Sequence, residues 1–166
     1  MAELTNLESK LGEVVGLAMA AQEATKKVGA LARAEKAQDL VEKLKQMQGE
    51  AKEAEQRGKE IAAGLDGKKT AILSEAREVK QKAGEMMQDY LDESADALDG
   101  FEFLTMAEAG EVGHWEILGT MNERAGNPAL REYVAWGLPI QKRHLEEVRE
   151  GSLKLAAEED PNEPAA

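Results

Sequence analysis

The chain has 166 residues, of which 33% are charged and 4% aromatic, with a formal net charge of −12 and no cysteine. This negative charge is repelled by nucleic acid and by anionic membranes, so we expect neither as a partner. The lack of cysteine excludes disulfides, cysteine-ligated zinc or iron–sulfur sites and a thiol nucleophile.

Apolar residues spaced three or four apart predict helices along most of the chain. The first helix runs from a start at Thr5 and Asn6 to about residue 30, followed by a weak break in VGALARA. The second extends over the stripe that begins at Leu40 and ends at the turn in AAGLDGKK. The third, from Thr70 to about Leu91, has many charges and little apolar bulk, so we expect it to pack outside the bundle as a crossover helix.

Two further helices and a tight turn are predicted in the second half of the chain. The first of them covers about residues 96 to 125. Its expected inner face consists of Phe103, Met106, Gly110, Gly113 or His114, Ile117 and Met121. In AGNPAL, Gly126 suits a left-handed C-cap, Asn127 an N-cap and Pro128 a first helical turn. The last helix follows, with a kink expected at Pro139, and the short turn makes the pair an antiparallel hairpin.

These elements predict an all-α protein with a single bundle domain over residues 1–157. The acidic, proline-containing residues 158–166 are predicted to be a disordered tail. The N-terminal stretch has no signal-peptide pattern and no apolar run is long enough to span a bilayer, so we expect a cytosolic protein. Faces rich in alanine and glycine on the first two helices favour self-association, and a homodimer is predicted.

The candidate site rests on the two histidines of the chain, each three positions from a glutamate. Residues three apart on a helix project to the same side, so Glu111 and His114 can bind one ion together, and so can His144 and Glu147. Glu108 lies one turn before Glu111. The candidate metal ligands are therefore Glu108, Glu111, His114, His144 and Glu147. Carboxylates and imidazoles together suit iron, manganese or zinc.

The levels of these residues in the hairpin differ. His114 lies about 19 Å from the turn along the helix axis and His144 about 26 Å, so the two are about one helical turn out of level. Long glutamate side chains or the kink at Pro139 would have to close this gap. The first two helices offer only carboxylates near the core, namely Glu13 on the first and Glu50 or Glu53 on the second.

The helical order resembles the ferritin-like plan, a four-helix bundle with an additional crossover helix between the second and third core helices. The segment FEFLTMAEAGEVGHWEILGTMNERAGN is similar to the third helix of the bacterial YciE/YciF-type ferritin-like proteins, and His114, Trp115 and Glu116 match their His-aromatic-Glu motif. The similarity is specific over about residues 100–157 and architectural before that. It implies a dimer-forming bundle, associated with stress, that binds two metal ions.

The chain departs from a complete di-iron site, which takes a glutamate from each of two helices and Glu-x-x-His from each of two others. The last helix has Gln141-x-x-His144, with glutamine in place of the carboxylate, and the second helix has no histidine. We therefore expect at most a mononuclear site around Glu111 and His114, with both facing the bundle interior. Weak oxidase activity toward iron and peroxide would be an extension of this hypothesis.

The alternative hypothesis is a metal-free helical bundle that acts as a dimer or as a scaffold for a partner protein. An acidic residue three positions before a histidine arises by chance about one time in five, because 33 of the 166 residues are acidic. Residues 151–153, Gly-Ser-Leu, loosely resemble peptides that load ferritin-like cargo into encapsulin shells. Val148, Ser152 and Leu155 continue the apolar stripe of the last helix, which makes the cargo hypothesis the weaker one. Nothing indicates a phosphate loop, a serine triad or a basic DNA-binding stripe.

Overall fold

The computed structural model describes residues 2–164, which form five α-helices and no strand. The helices are α1 (Asn6–Ala34), α2 (Gln38–Gly64), α3 (Lys69–Tyr90), α4 (Ala97–Ala125) and α5 (Pro128–Ala156). The predicted all-α class is confirmed. None of the helices in this part of the chain is long and apolar enough to cross a membrane.

The helix starts follow the predicted capping residues. At α1, the side chain of Thr5 accepts a hydrogen bond from the backbone N–H of Glu8, whose carboxylate accepts one from Thr5 in return. At the α4–α5 turn, Gly126 has a φ of 68°, and the side chain of Asn127 accepts a hydrogen bond from the backbone N–H of Leu130 at 3.1 Å. Each such cap contributes about 1 kcal/mol to helix stability.

The first helix ends later than predicted, and most of the predicted C-terminal tail is described by the structure. The first helix was expected to end near residue 30 and instead reaches Ala34, because Leu31 and Ala32 still pack in the core; the chain then turns at Lys36, with a φ of 61°. At the other end, residues 158–164 lie outside any helix and are exposed, whereas the last two residues of the predicted tail lie outside the described part of the chain.

Four of the helices pack in a ring: α1 against α2 and α4, and α5 against α2 and α4. Side-chain contacts give their directions. Between α4 and α5, a Cβ at Gly151 would meet Phe101 near one end and a Cβ at Gly137 would meet Trp115 near the other, so the two helices are antiparallel. Side-chain contacts near both ends of each pair of helices likewise show that α1 is antiparallel to α2 and to α4. They also show that α2 is antiparallel to α5. Thus α1 and α5 run one way, and α2 and α4 run the other.

The remaining helix, α3, packs mainly on α1 and only loosely on α4. It runs parallel to α1, since Gly12 lies against Ile72 near the start of α3 and Lys27 donates to the carbonyl oxygen of Leu91 just after its end. The approach is close because α1 has glycine at this surface: a Cβ at Gly16 would lie 2.8 Å from the Cβ of Val79.

The apolar core is divided into two clusters, one towards each end of the bundle. One is built around Val28, Leu44, Phe101, Leu104 and Val148. The other is built around Leu11, Val15, Ile72, Trp115 and Tyr133. Every helix of the ring passes from one cluster to the other in its middle section. At that level, α2, α4 and α5 contribute polar side chains, so a polar layer separates the two apolar clusters.

The predicted inner face of α4 was correct at Phe103, which is 6% exposed, but wrong in register along the rest of the helix. Met106 and Ile117, expected inside, are 41% and 44% exposed. The inner face consists of Phe101, Leu104, Glu108, Glu111, Trp115, Leu118 and Asn122. The apolar pattern misled because the true inner stripe contains two glutamates, while two large apolar residues lie on the outer side.

Candidate functional site

Five polar side chains meet in the layer between the two apolar clusters, and we call them the core cluster. They are Glu50 from α2, Glu108 and Glu111 from α4, and Gln141 and His144 from α5. Four of them are more than nine-tenths buried, and the side chain of Glu50 is 18% exposed. Burying charged groups is costly unless they are paired, so this concentration requires neutralising partners.

Helix geometry brings the cluster together. Glu108 and Glu111 are three residues apart on α4, as are Gln141 and His144 on α5, so each pair projects to one side of its helix. The two helices approach closely because α5 has Gly137 opposite the ring of Trp115. The pairs therefore face each other across the α4–α5 interface.

The imidazole of His144 lies between two carboxylates. Its Nδ1 is 3.7 Å from Oε2 of Glu108, and its Nε2 is 3.8 Å from Oε2 of Glu50. Both separations exceed hydrogen-bonding distance. Gln141 donates its side-chain N–H to the same Oε2 of Glu108, and Arg143 forms an ion pair with Oε2 of Glu50. Within the described residues, two buried atoms of the cluster have no hydrogen-bond partner: Nε2 of His144 and Oε1 of Glu50.

Glu111 occupies the most unfavourable electrostatic position. It is 7% exposed, and no hydrogen bond or ion pair joins its carboxyl group to another residue between 2 and 164. Burial raises its pKa well above the usual value, and the neighbouring charge of Glu108 raises it further. Both effects make Glu111 easier to protonate than a free glutamate.

A small cavity of about 10 Å³ adjoins all five members of the core cluster. This is about the volume that one water-sized particle needs. The cavity also borders Thr25 of α1, which donates its hydroxyl to the backbone oxygen of Ala21 and is therefore already partnered.

The structure brings together three of the five predicted ligands: Glu108, Glu111 and His144. His114 lies elsewhere, 36% exposed, with Nδ1 3.1 Å from Oε2 of Glu13 on α1. Burial lowers its pKa, and the nearby ammonium of Lys10 lowers it further. The expectation that His114 faces inward was wrong, because a residue three positions further along a helix is rotated by about 60°. Exposure rises accordingly from 1% at Glu108 to 7% at Glu111.

The fifth predicted ligand, Glu147, also lies outside the cluster, where it is 3.4 Å from Arg143. Of the secondary candidates on the first two helices, Glu50 joins the cluster, whereas Glu53 pairs with Arg57 at the surface. A signal for the true partners was present in the sequence: Glu108 lies 18 residues before Gly126 and His144 lies 18 residues after it (126 − 108 and 144 − 126). Equal distance from a tight turn places two residues at one level of a hairpin.

The core cluster is not arranged as a preformed metal site: nowhere in residues 2–164 is there a group of three or more His, Cys, Asp or Glu side chains positioned to hold an ion. Comparisons of the chain with models of protein families, with curated proteins and with solved structures find no match.

Proposed function

We propose that this protein is a ferritin-like bundle that binds one divalent cation in its core, with His144 and Glu50 as ligands and Glu108 orienting the imidazole of His144. The observation that carries the proposal is the unpartnered Nε2 of His144, buried beside a carboxylate and a water-sized cavity. Iron, manganese and zinc are the candidate ions, because all three accept imidazole together with carboxylate oxygen.

The chain path supports the ferritin-like part of the proposal. Because α2 and α4 run in the same direction, the segment that connects the end of α2 to the start of α4 must span the length of the bundle. The helix in this connecting segment, α3, then corresponds to the crossover helix of the ferritin-like plan. Placing ligands in mid-bundle on facing helices also follows that plan.

The donors fit one ion better than two. Two atoms that each bind the same ion at about 2.1 Å lie about 3 to 4 Å apart, so the 3.8 Å between Nε2 of His144 and Oε2 of Glu50 is compatible with a shared ion. The opposite nitrogen, Nδ1, faces Glu108, as in sites where a carboxylate orients a metal-bound histidine. No carboxylate of α1 lines the cavity, so the donors for a second ion are lacking.

The experiment is to measure the metal content of protein purified without chelator, and its melting temperature with added Mn²⁺, Fe²⁺ or Zn²⁺. An ion at a hundredfold excess over its Kd stabilises the folded protein by about 2.7 kcal/mol. His144→Gln should abolish both the bound metal and the shift, whereas His114→Gln, at the half-exposed histidine, should retain them. Wild-type protein without metal and without a shift for any of the three ions would refute the proposal.

A metal-free scaffold is the second candidate, and specific contacts favour it. Arg143 already neutralises Glu50, and Gln141 already donates to Glu108. The raised pKa of Glu111 makes its charge easier to remove by protonation. A single water in the cavity would then satisfy the unpartnered atoms of His144 and Glu50. In that case His144→Gln would alter stability but would bind as little metal as wild type.

Self-association in the cytosol is part of both candidates. Between residues 2 and 164, five large apolar side chains are exposed: Met86, Tyr90, Met106, Ile117 and Leu153. Four of them lie on α3 and α4, and exposed apolar side chains of this kind favour self-association. The encapsulin-cargo hypothesis receives no such support, because residues 151–153 belong to α5 and a Cβ at Gly151 would meet Phe101. A stress-related role stays a prediction of the family resemblance.

A further inference from the structure

A groove with a cavity of about 320 Å³ lies between α1, α3 and α4. It exists because α3 packs on α1 and makes few contacts with α4. Its walls are mainly apolar and include Leu17, Ala24, Val79, Ala83, Met87 and Phe103. This volume falls within the range of small-molecule sites, which are usually apolar with a few polar groups that fix the orientation of the ligand.

The inner end of the groove is acidic. Glu111 and Glu108 both line it, and they also border the core cluster cavity. Glu108 accepts a hydrogen bond from Gln141, whereas Glu111, a residue 7% exposed, has no hydrogen-bond partner for its carboxyl group among the described residues. Two basic side chains among the described residues also line the groove: Lys82, which is exposed, and His114, which is paired with Glu13.

We propose that this groove binds a small organic amine, with its ammonium group on the carboxylate of Glu111 and its apolar tail between α1, α3 and α4. Such a ligand supplies the one thing that Glu111 lacks, a charged hydrogen-bond donor. Met87 and Phe103 are polarisable groups suited to line the path of a cationic ligand with an apolar tail.

Other ligand classes fit this groove less well. An anion would meet two buried glutamates, and a neutral apolar molecule would cover Glu111 and leave it unpartnered, which is costly. A hydrated metal ion would gain nothing from apolar walls. The inference goes beyond the proposed metal site, since it uses a different cavity and a carboxylate that was not assigned to the ion.

The test is calorimetric titration of the full-length protein with three probes of matched shape: 4-phenylbutylamine, 4-phenylbutanol and 4-phenylbutyrate. We expect the amine to bind at least tenfold more tightly than the alcohol, and the carboxylate not to bind. Equal affinities for all three, or no binding of the amine at millimolar concentration, would overturn the proposal. Metal content is measured on the same protein, so that failure of the amine site and failure of the metal site are read separately.

Variants locate the site. Glu111→Gln, a change of nearly equal size, should weaken amine binding at least tenfold. Glu102→Gln removes an exposed glutamate of the same helix, away from the groove, and should have no effect. Ala83→Phe fills the groove from α3 and should abolish binding of the amine. Equal losses in Glu111→Gln and Glu102→Gln, or unchanged binding in Ala83→Phe, would place the amine elsewhere and refute the inference.

Discussion

Gly137→Ala should destabilise the protein, although alanine is the better helix former. A Cβ at this position would lie no more than 2.9 Å from three atoms of the Trp115 ring, Cη2, Cζ3 and Cζ2. Carbon atoms normally pack at about 3.5 to 4.0 Å, so ring and helix must separate. The ring cannot simply swing outward, because Trp115 is buried and its centroid is 4.6 Å from that of Tyr133.

The expected magnitude is the difference between two opposing terms. Overpacking of this kind costs about 1 to 3 kcal/mol. The gain in helix propensity from glycine to alanine returns about 1 kcal/mol. We therefore expect a net loss of about 1 kcal/mol in the free energy of unfolding, together with weaker metal binding, because α5 carries His144 away from Glu108.

The assay is urea denaturation followed by far-ultraviolet circular dichroism, with Gly49→Ala as the matched control. Gly49 lies inside α2, and no described atom is within 4 Å of its added Cβ, so the same substitution should stabilise the protein by about 0.5 to 1 kcal/mol. A double-mutant cycle with Trp115→Leu should show that Gly137→Ala costs less once the ring is gone. If Gly137→Ala were as stable as Gly49→Ala, the close approach of α4 and α5 would be refuted.

Three further results are expected. Because the pKa of Glu111 is raised in the folded state, its contribution to stability is complete below the unfolded pKa and is lost as pH rises through the folded pKa. Urea midpoints of wild type should therefore fall as pH rises above about 4.3, the usual pKa of a free glutamate, and those of Glu111→Gln should fall less. Asn127→Ala removes the side chain that accepts from the N–H of Leu130 and should lower the free energy of unfolding by about 1 kcal/mol, with Asn162→Ala in the exposed tail as a neutral control. Leu104→Ala empties a fully buried position and should cost about 2 to 5 kcal/mol in thermal denaturation; a loss below that of Asn127→Ala would contradict its place in the core.

The fold was predictable where local chemistry decides it. Apolar spacing identified all five helices, and the capping residues Thr5 and Asn127 marked two helix starts because their side chains bond directly to backbone groups a few residues away. Such interactions depend on a few neighbouring residues. They can therefore be predicted from the sequence without knowing which other elements pack on the helix.

The site was only partly predictable, because polar side chains are buried there and large apolar side chains are exposed nearby. Glu108 and Glu111 occupy the inner stripe of α4, while Met106 and Ile117 lie towards the outside, so an apolar pattern gives the wrong face. Glu50 is one of many glutamates on α2, and nothing in its local sequence distinguishes it. Glu50 lies beside His144 only because of how α2 and α5 are aligned along the bundle. This alignment depends on the packing of the whole bundle and not on the sequence around Glu50.

The division of the apolar core into two clusters has a consequence for how the protein opens. In a bundle with continuous apolar packing, the backbone amides at the centre of each helix exchange with solvent most slowly. Here the centre is the polar layer, and the two apolar clusters lie on either side of it. Slow-exchanging amides should therefore form two bands along α2, α4 and α5, with faster exchange between them. The two ends of the molecule can then open as separate cooperative units that are connected through the polar layer.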